Sequence, residues 1–240
     1  MPNRSREDRK ERLSVEEFEK KIAESVHRIL ENLPPEVTLV AAVKGRSVAE
    51  VRAAIEAGVT HLGHNYIQEA ELTINQMRDS ANWHMIGHLQ RNKVKKALPL
   101  FDMVETVDSW HLAKELNKQC AHMVKTMSVL IEVNSGREVS KTGVMPEDLE
   151  GFVMRMHELE NLRIQGLMTM GPRFGDPENA RPFFQETRKT FDRLVCMDLP
   201  HVRMHYLSMG MSNSYLVAIE EGANVVRIGT KIFGQRGNGV

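Results

Sequence analysis

Cysteine is scarce: Cys120 and Cys196 are the only two in 240 residues. They lie far apart, with no C-x-x-C or metal-type spacing. That excludes a disulfide framework and favours a reducing, cytoplasmic setting with buried thiols. An excess of one charge sign is also missing, because Lys+Arg and Asp+Glu both number 32. Nothing in the bulk charge drives the chain toward nucleic acid or an anionic membrane, so any anion site must be local. No apolar run approaches the ~18 residues needed to span a bilayer. The start, 1–12, lacks the apolar core of a signal peptide, and its acidic residues argue against a transit peptide. No metal-ligand spacing is found among the ten histidines, and the fifteen methionines read as core filler.

What is present is alternation. Apolar residues at helical spacing predict a first helix over 15–33, with Ser14 as its N-cap and Pro34-Pro35 as its stop. Residues 1–13 are expected to form a mobile tail. The run 37–43 is short, unbroken and apolar, as in strands buried on both faces. Further strands are predicted over 60–63, 83–86, 101–107, 127–133, 162–168, 202–207 and 224–228. Helices are predicted between them over 47–57, 66–77, 93–98, 108–121, 146–159, 177–195 and 213–221. Eight strand–helix units joined by short connections predict one domain over 1–240, a closed (β/α)8 TIM-type barrel with an extra N-terminal helix. A doubly wound open sheet is the structural alternative.

In such a barrel the chemistry sits at the C-terminal ends of the strands. Lys44 follows the first strand directly. Either it emerges into solvent there, or it is a partly desolvated amine able to condense with an aldehyde. Ser208-Met209-Gly210-Met211-Ser212 follows the seventh strand, and Gly229-Thr230 follows the eighth. Each loop alone is explained by a helix cap or a turn. Together, on the rim that carries Lys44, they favour an anion site made of backbone N–H groups. Arg227 lies between Val226 and Ile228, on the opposite strand face from both. Buried inside a barrel it requires an acceptor, such as Glu132 or a ligand ring nitrogen.

Six stretches carry a resemblance. They are Leu39 to Lys44, Gly63-His64-Asn65-Tyr66-Ile67-Gln68-Glu69, Trp83 to Lys93, Gly166 to Gly171, Leu207 to Ser212, and Val226 to Gly234. In that order they resemble the pyridoxal 5′-phosphate (PLP) homeostasis proteins, relatives of the alanine racemase N-terminal barrel (fold type III). The resemblance implies PLP as cofactor, held as a Schiff base on Lys44. It also implies that Ser212, Gly229 and Thr230 hold the phosphate and that Arg227 faces the pyridine nitrogen. Asn65, His88 and Met209 match pocket-lining positions, and each has a plainer alternative as a turn, a core histidine or a packing methionine. The chain departs from the family's usual pattern at Val43, Gly45 and Arg46, where Ser precedes and Thr follows the lysine, and at His64, where glutamate is usual.

An arginine at the ring nitrogen leaves that nitrogen unprotonated and weakens the ring as an electron sink. Racemisation also requires a second proton carrier, which in the related racemases is a tyrosine from another domain of the partner subunit. The barrel is expected to use this whole chain, and Tyr66, Tyr206 and Tyr215 are not placed to replace that tyrosine. The expectation is therefore a cytoplasmic, monomeric PLP-binding protein without catalytic turnover, with PLP-dependent apoenzymes as recipients and no nucleic-acid or membrane partner. The alternative is a PLP-dependent amino-acid racemase using Lys44 with His64 or His88. Arg91, Lys93, Lys95 and Lys96 read as a solvated helix face. Ser140-Lys141-Thr142-Gly143 resembles a family loop over the pocket.

Overall fold

Apolar runs of four to eight residues are too short for buried helices and pair instead as strands. The computed structural model describes residues 4–138, 141–172 and 175–235. Its strands are β1 (Thr38–Ala42), β2 (His61–His64), β3 (Asn82–Met85), β4 (Met103–Val107), β5 (Met127–Val133), β6 (Leu162–Thr169), β7 (Val202–Met211) and β8 (Val225–Ile228). All pair in parallel with their chain neighbours, and β8 closes on β1, so the barrel is complete. The helices are α1 (Arg4–Glu31), α2 (Val48–Glu56), α3 (Ile67–Met77), α4 (Val94–Ala97), α5 (Trp110–His122), α6 (Leu149–Met156), α7 (Arg181–Val195), α8 (Tyr215–Glu220) and α9 (Thr230–Phe233).

Helix starts follow from local chemistry. Ser47 and Glu50 form a reciprocal capping box at α2, and Ser109 caps α5 through the Leu112 N–H. Two expectations are corrected. α1 begins at Arg4, so Ser14 lies within the helix rather than at its cap; residues 1–3 lie outside the described residues. The seventh strand does not end at Leu207 but runs on to Met211, because Ser208 and Met211 pair with β8. Ser212 accordingly follows a strand and does not cap α8, whose N-cap position is Ser214.

Strand alternation divides the buried residues into two layers. Leu39, Ala41, Leu62, Trp83, Val129, Ile131, Leu207, Val226 and Ile228 face outward and pack with the helices. Inside the barrel the apolar cluster is small: Val40, Ile86 and Val225, with Ala42 and Tyr206 against it. Each fully buried Leu or Ile contributes ~1.5–3 kcal/mol. The outer layer therefore carries most of the stability, and the interior is left for polar groups.

Register is continuous from β8 through β1, β2 and β3 to β4. It slips in the β4–β5, β5–β6, β6–β7 and β7–β8 ladders. The β6–β7 slip falls at Gly166, whose φ is +150° and where a Cβ would collide with the Tyr206 carbonyl. Gly166→Ala should lower the unfolding free energy by more than ~2 kcal/mol, read from the urea midpoint. A loss under ~0.5 kcal/mol would mean that the bulge yields freely.

Candidate functional site

Lys44 stands just past β1 and is half-buried, its Nζ 4.7 Å from the centre of the Tyr66 ring. Among the described residues its ammonium has no hydrogen-bond or ion-pair partner. The next residue, Gly45, adopts φ +66°, and its N–H donates to Glu69 Oε2 at 2.8 Å.

On the neighbouring strand, β8 ends at Ile228, and Gly229 leads into α9. Ser212 Oγ accepts from the Gly229 N–H at 3.1 Å and from the Lys231 N–H at 3.4 Å. The turns after β7 and β8 thus meet as one cluster of a hydroxyl and backbone amides, with Thr230 at its centre in sequence. A Cβ on Gly229 would lie 3.0 Å from the Ala42 carbonyl oxygen. The cluster therefore abuts the end of β1, on the rim that carries Lys44.

Arg227 is in register with Val40 and turns into the barrel, 4% exposed. Its guanidinium donates to the Thr169 carbonyl at 2.8 Å and, through a very short contact, to Ser208 Oγ. Its nearest carboxylate is Glu105, at 3.8 Å, which corrects the expectation of Glu132. Ser208 in turn donates to Glu105 Oε2 at 2.6 Å, and His84 Nδ1 lies 2.7 Å from Glu105 Oε1. His61 Nδ1 lies 3.0 Å from His84 Nε2 and extends the chain toward the N-terminal end of the barrel. Burial acts to raise the Glu105 pKa, but His84, Arg227 and Ser208 outweigh it and hold the carboxyl below its usual range. Glu132 instead accepts from Thr142 Oγ1 at 3.1 Å, and burial pushes its pKa up. The family-like loop therefore reaches the barrel mouth at Thr142; Ser140 lies outside the described residues.

The remaining expected residues divide. The Asn65 backbone packs against Gly87, where a Cβ would come within 2.5 Å of the Asn65 carbonyl oxygen. His88 pairs with Asp108 at 3.0 Å, with its side chain 53% exposed. It lines a cavity of about 480 Å³ with Arg91, Ser109 and His111. Met209 is fully buried in the outer layer, on the far side of β7 from Ser208. His64 shares the outward face of β2 with Leu62 and stacks on Trp83, with ring centres 5.8 Å apart. It is 1% exposed, neither ring nitrogen has a partner among the described residues, and burial pulls its pKa from 6.5 to about 4. It is turned away from the interior that holds Arg227. Of the basic cluster, Arg91, Lys95 and Lys96 are exposed and Lys93 is half-buried.

The interior acceptors Glu105, Ser208 and Thr169 escaped sequence reasoning, as did His84. The signal existed for Glu105. It is a carboxylate inside the apolar run Met103-Val104-Glu105-Thr106-Val107 and demands a buried partner as Arg227 does.

The barrel and its rim define the alanine racemase N-terminal class: a family model of that description matches residues 19–237. A pyridoxal phosphate homeostasis protein of Aquifex aeolicus is 40% identical over 190 residues, covering 78% of this chain and 81% of that one. One of Pasteurella multocida is 35% identical over 215 residues, covering 88% and 92%. The chain belongs to this family of pyridoxal phosphate homeostasis proteins. Synechococcus elongatus PipY, solved with PLP bound, superposes with a TM-score of 0.81 at 32% identity, covering 89% of this chain and all of that one. A Clostridium difficile alanine racemase reaches 0.70 at 14% identity, over 92% of this chain and 56% of that one, a likeness of fold alone.

Two outcomes are expected. Below pH 6.5 an unfolded His64 takes a proton that the folded ring refuses until about pH 4. Stability should fall by ~3 kcal/mol across that window, and His64→Leu should flatten the slope in urea melts at pH 7 and pH 5. An unchanged slope would reject the assignment. Arg227→Met should cost ~3–5 kcal/mol by stranding Glu105. Adding Glu105→Leu should recover part of that loss, whereas strictly additive losses would mean that the two side chains are uncoupled.

Proposed function

We propose that this protein holds pyridoxal 5′-phosphate on Lys44 and serves the supply of that cofactor without turning over a substrate. One observation carries the reading: an amine with no hydrogen-bond or ion-pair partner among the described residues shares a rim with the cluster of Ser212, Gly229 and Lys231, while Arg227 is fixed inside the same barrel mouth. Each group suits one part of the ligand. PLP, when bound, supplies an aldehyde, a phosphate and a pyridine ring that can act as an electron sink. The Lys44 amine would attack the aldehyde. The Ser212 hydroxyl, the Gly229 and Lys231 N–H groups and Thr230 would take the phosphate. Arg227 would donate to the ring nitrogen. Asn65 and His88 would flank the ring, and Met209 would support the β7 backbone from behind.

The residues around the ring favour holding over proton transfer. Burial lowers the Arg227 pKa, Glu105 and Glu132 oppose that only in part, and the guanidinium, ordinarily charged far above neutral pH, stays a donor. It would therefore leave the ring nitrogen unprotonated. Of the two histidines that racemisation could use, His64 is turned into the helix layer and His88 is tied to Asp108. The same proposal has the protein acting as a monomer in the cytoplasm, with PLP-dependent apoenzymes as recipients. Among the described residues no helix is long and apolar enough to cross a membrane, and both cysteines are free.

Purified protein mixed with PLP should gain near-visible absorbance, and borohydride should fix one pyridoxyl phosphate per chain; Lys44→Ala should do neither. Alanine of either hand kept with the loaded protein in D2O should retain its α-hydrogen. Adduct formation that persists in Lys44→Ala would reject the attachment site, and fast exchange dependent on Lys44 would reject storage in favour of racemase chemistry.

A further inference from the structure

Arg46 stands two residues beyond Lys44, and its side chain is only 9% exposed. A guanidinium so far withdrawn from water needs acceptors, and this one has three. Nη1 donates to Glu50 Oε1 at 3.1 Å and to the Phe233 carbonyl at 3.1 Å, and Nη2 donates to the Gly234 carbonyl at 2.6 Å. The guanidinium also lies 5.3 Å from the centre of the Phe233 ring. Phe233 and Gly234 are the C-terminal end of α9, whose N-terminal end carries the amides around Ser212. A four-residue helix is ~6 Å long, so a displacement at one end reaches the other.

Glu50 is shared. Its other oxygen accepts from the Ser47 N–H at 2.6 Å and completes the α2 capping box. Arg46 therefore joins three pieces: the α2 cap, the loop that bears Lys44, and α9. The β1–β8 ladder does not do this, because its last pair is Ala41 with Ile228. Beyond it, the Val43 N–H donates to the Gly63 carbonyl and the Gly45 N–H to Glu69, both on the β2 side. Among the described residues, Arg46 is the side chain whose hydrogen bonds cross from the Lys44 loop to α9. The fold itself does not rest on this link, since Ile232 and Phe233 already anchor α9 by burial.

The geometry points to a role that rests on the proposed PLP site. We propose that Arg46 is a positioning residue that fixes the spacing between the Lys44 amine and the α9 amides, so that one ligand can engage both at once. The neighbouring departure fits this role. Gly45 takes the left-handed conformation (φ +66°), which a β-branched threonine rarely adopts, and the turn it makes directs Arg46 back toward α9.

The test separates spacing from general stability by comparing PLP with pyridoxal, which has the aldehyde and lacks the phosphate. Wild type should bind PLP far more tightly than pyridoxal. In Arg46→Ala the PLP Kd should rise at least ~10-fold, while the pyridoxal Kd shifts less than ~3-fold, so the ratio of the two collapses. Arg46→Lys keeps the charge but not the two-pronged fork and should give an intermediate ratio. Thermal midpoints are read first, and if Arg46→Ala does not fold, the ratio in Arg46→Lys decides. Equal weakening of both ligands, or an unchanged ratio, would overturn the proposal. A wild type that forms no adduct with either aldehyde would instead overturn the underlying reading of the site.

Discussion

A guanidinium inside a parallel barrel must be surrounded before anything else can be built there. Arg227 is almost wholly removed from bulk water, and leaving it unpaired would cost more than most single mutations remove. The interior is arranged to meet that demand. Glu105 stays ionised against the pull of burial because His84, Arg227 and Ser208 all favour its charged form. Ser208 faces inward because β7 continues past Leu207, and that same continuation delivers Ser212 to the first amides after β8. The polar interior and the cluster of Ser212 with the amides after β8 are thus two results of one long strand.

Such an interior is possible because the apolar work is done elsewhere. The layer between strands and helices holds Trp83, Leu62, Leu207 and Met209, whereas the apolar cluster inside the barrel is built on Val40, Ile86 and Val225. His64 shows the rule from the other side. It is a polar ring placed in the apolar layer, stacked on Trp83 with both nitrogens unsatisfied, and it is kept neutral by burial.

Most of the architecture was legible because the apolar runs alternate with helical stretches, and the range 47–57 opens on the serine that caps α2. Lys44 and the pairing of the last two loops were legible from position alone, since the barrel rule says which strand ends share a rim. The errors have physical causes. The end of β7 was misplaced because Met209 to Met211 look like loop residues until pairing with β8 claims them. The start of α1 was placed late because a charged, polar stretch can be helical without an apolar face. Arg227 was matched to Glu132 by apparent nearness to the rim, although the closer carboxylate was an anomaly within its own strand. The outward face of His64 followed from its i+2 spacing to Leu62, but a four-residue strand offers little phase to read.

The two halves of the wall are not built alike. Every ladder that touches β1, β2 or β3 keeps an unbroken register, while the four others each slip by a residue or more. Lys44 follows β1, whose two ladders are unbroken, whereas Ser212 follows β7, whose two ladders both slip. Sequence drift in the bulged strands can re-aim a loop without moving the amine. A scaffold divided this way can change the loops on one side of its mouth while the Lys44 amine stays put.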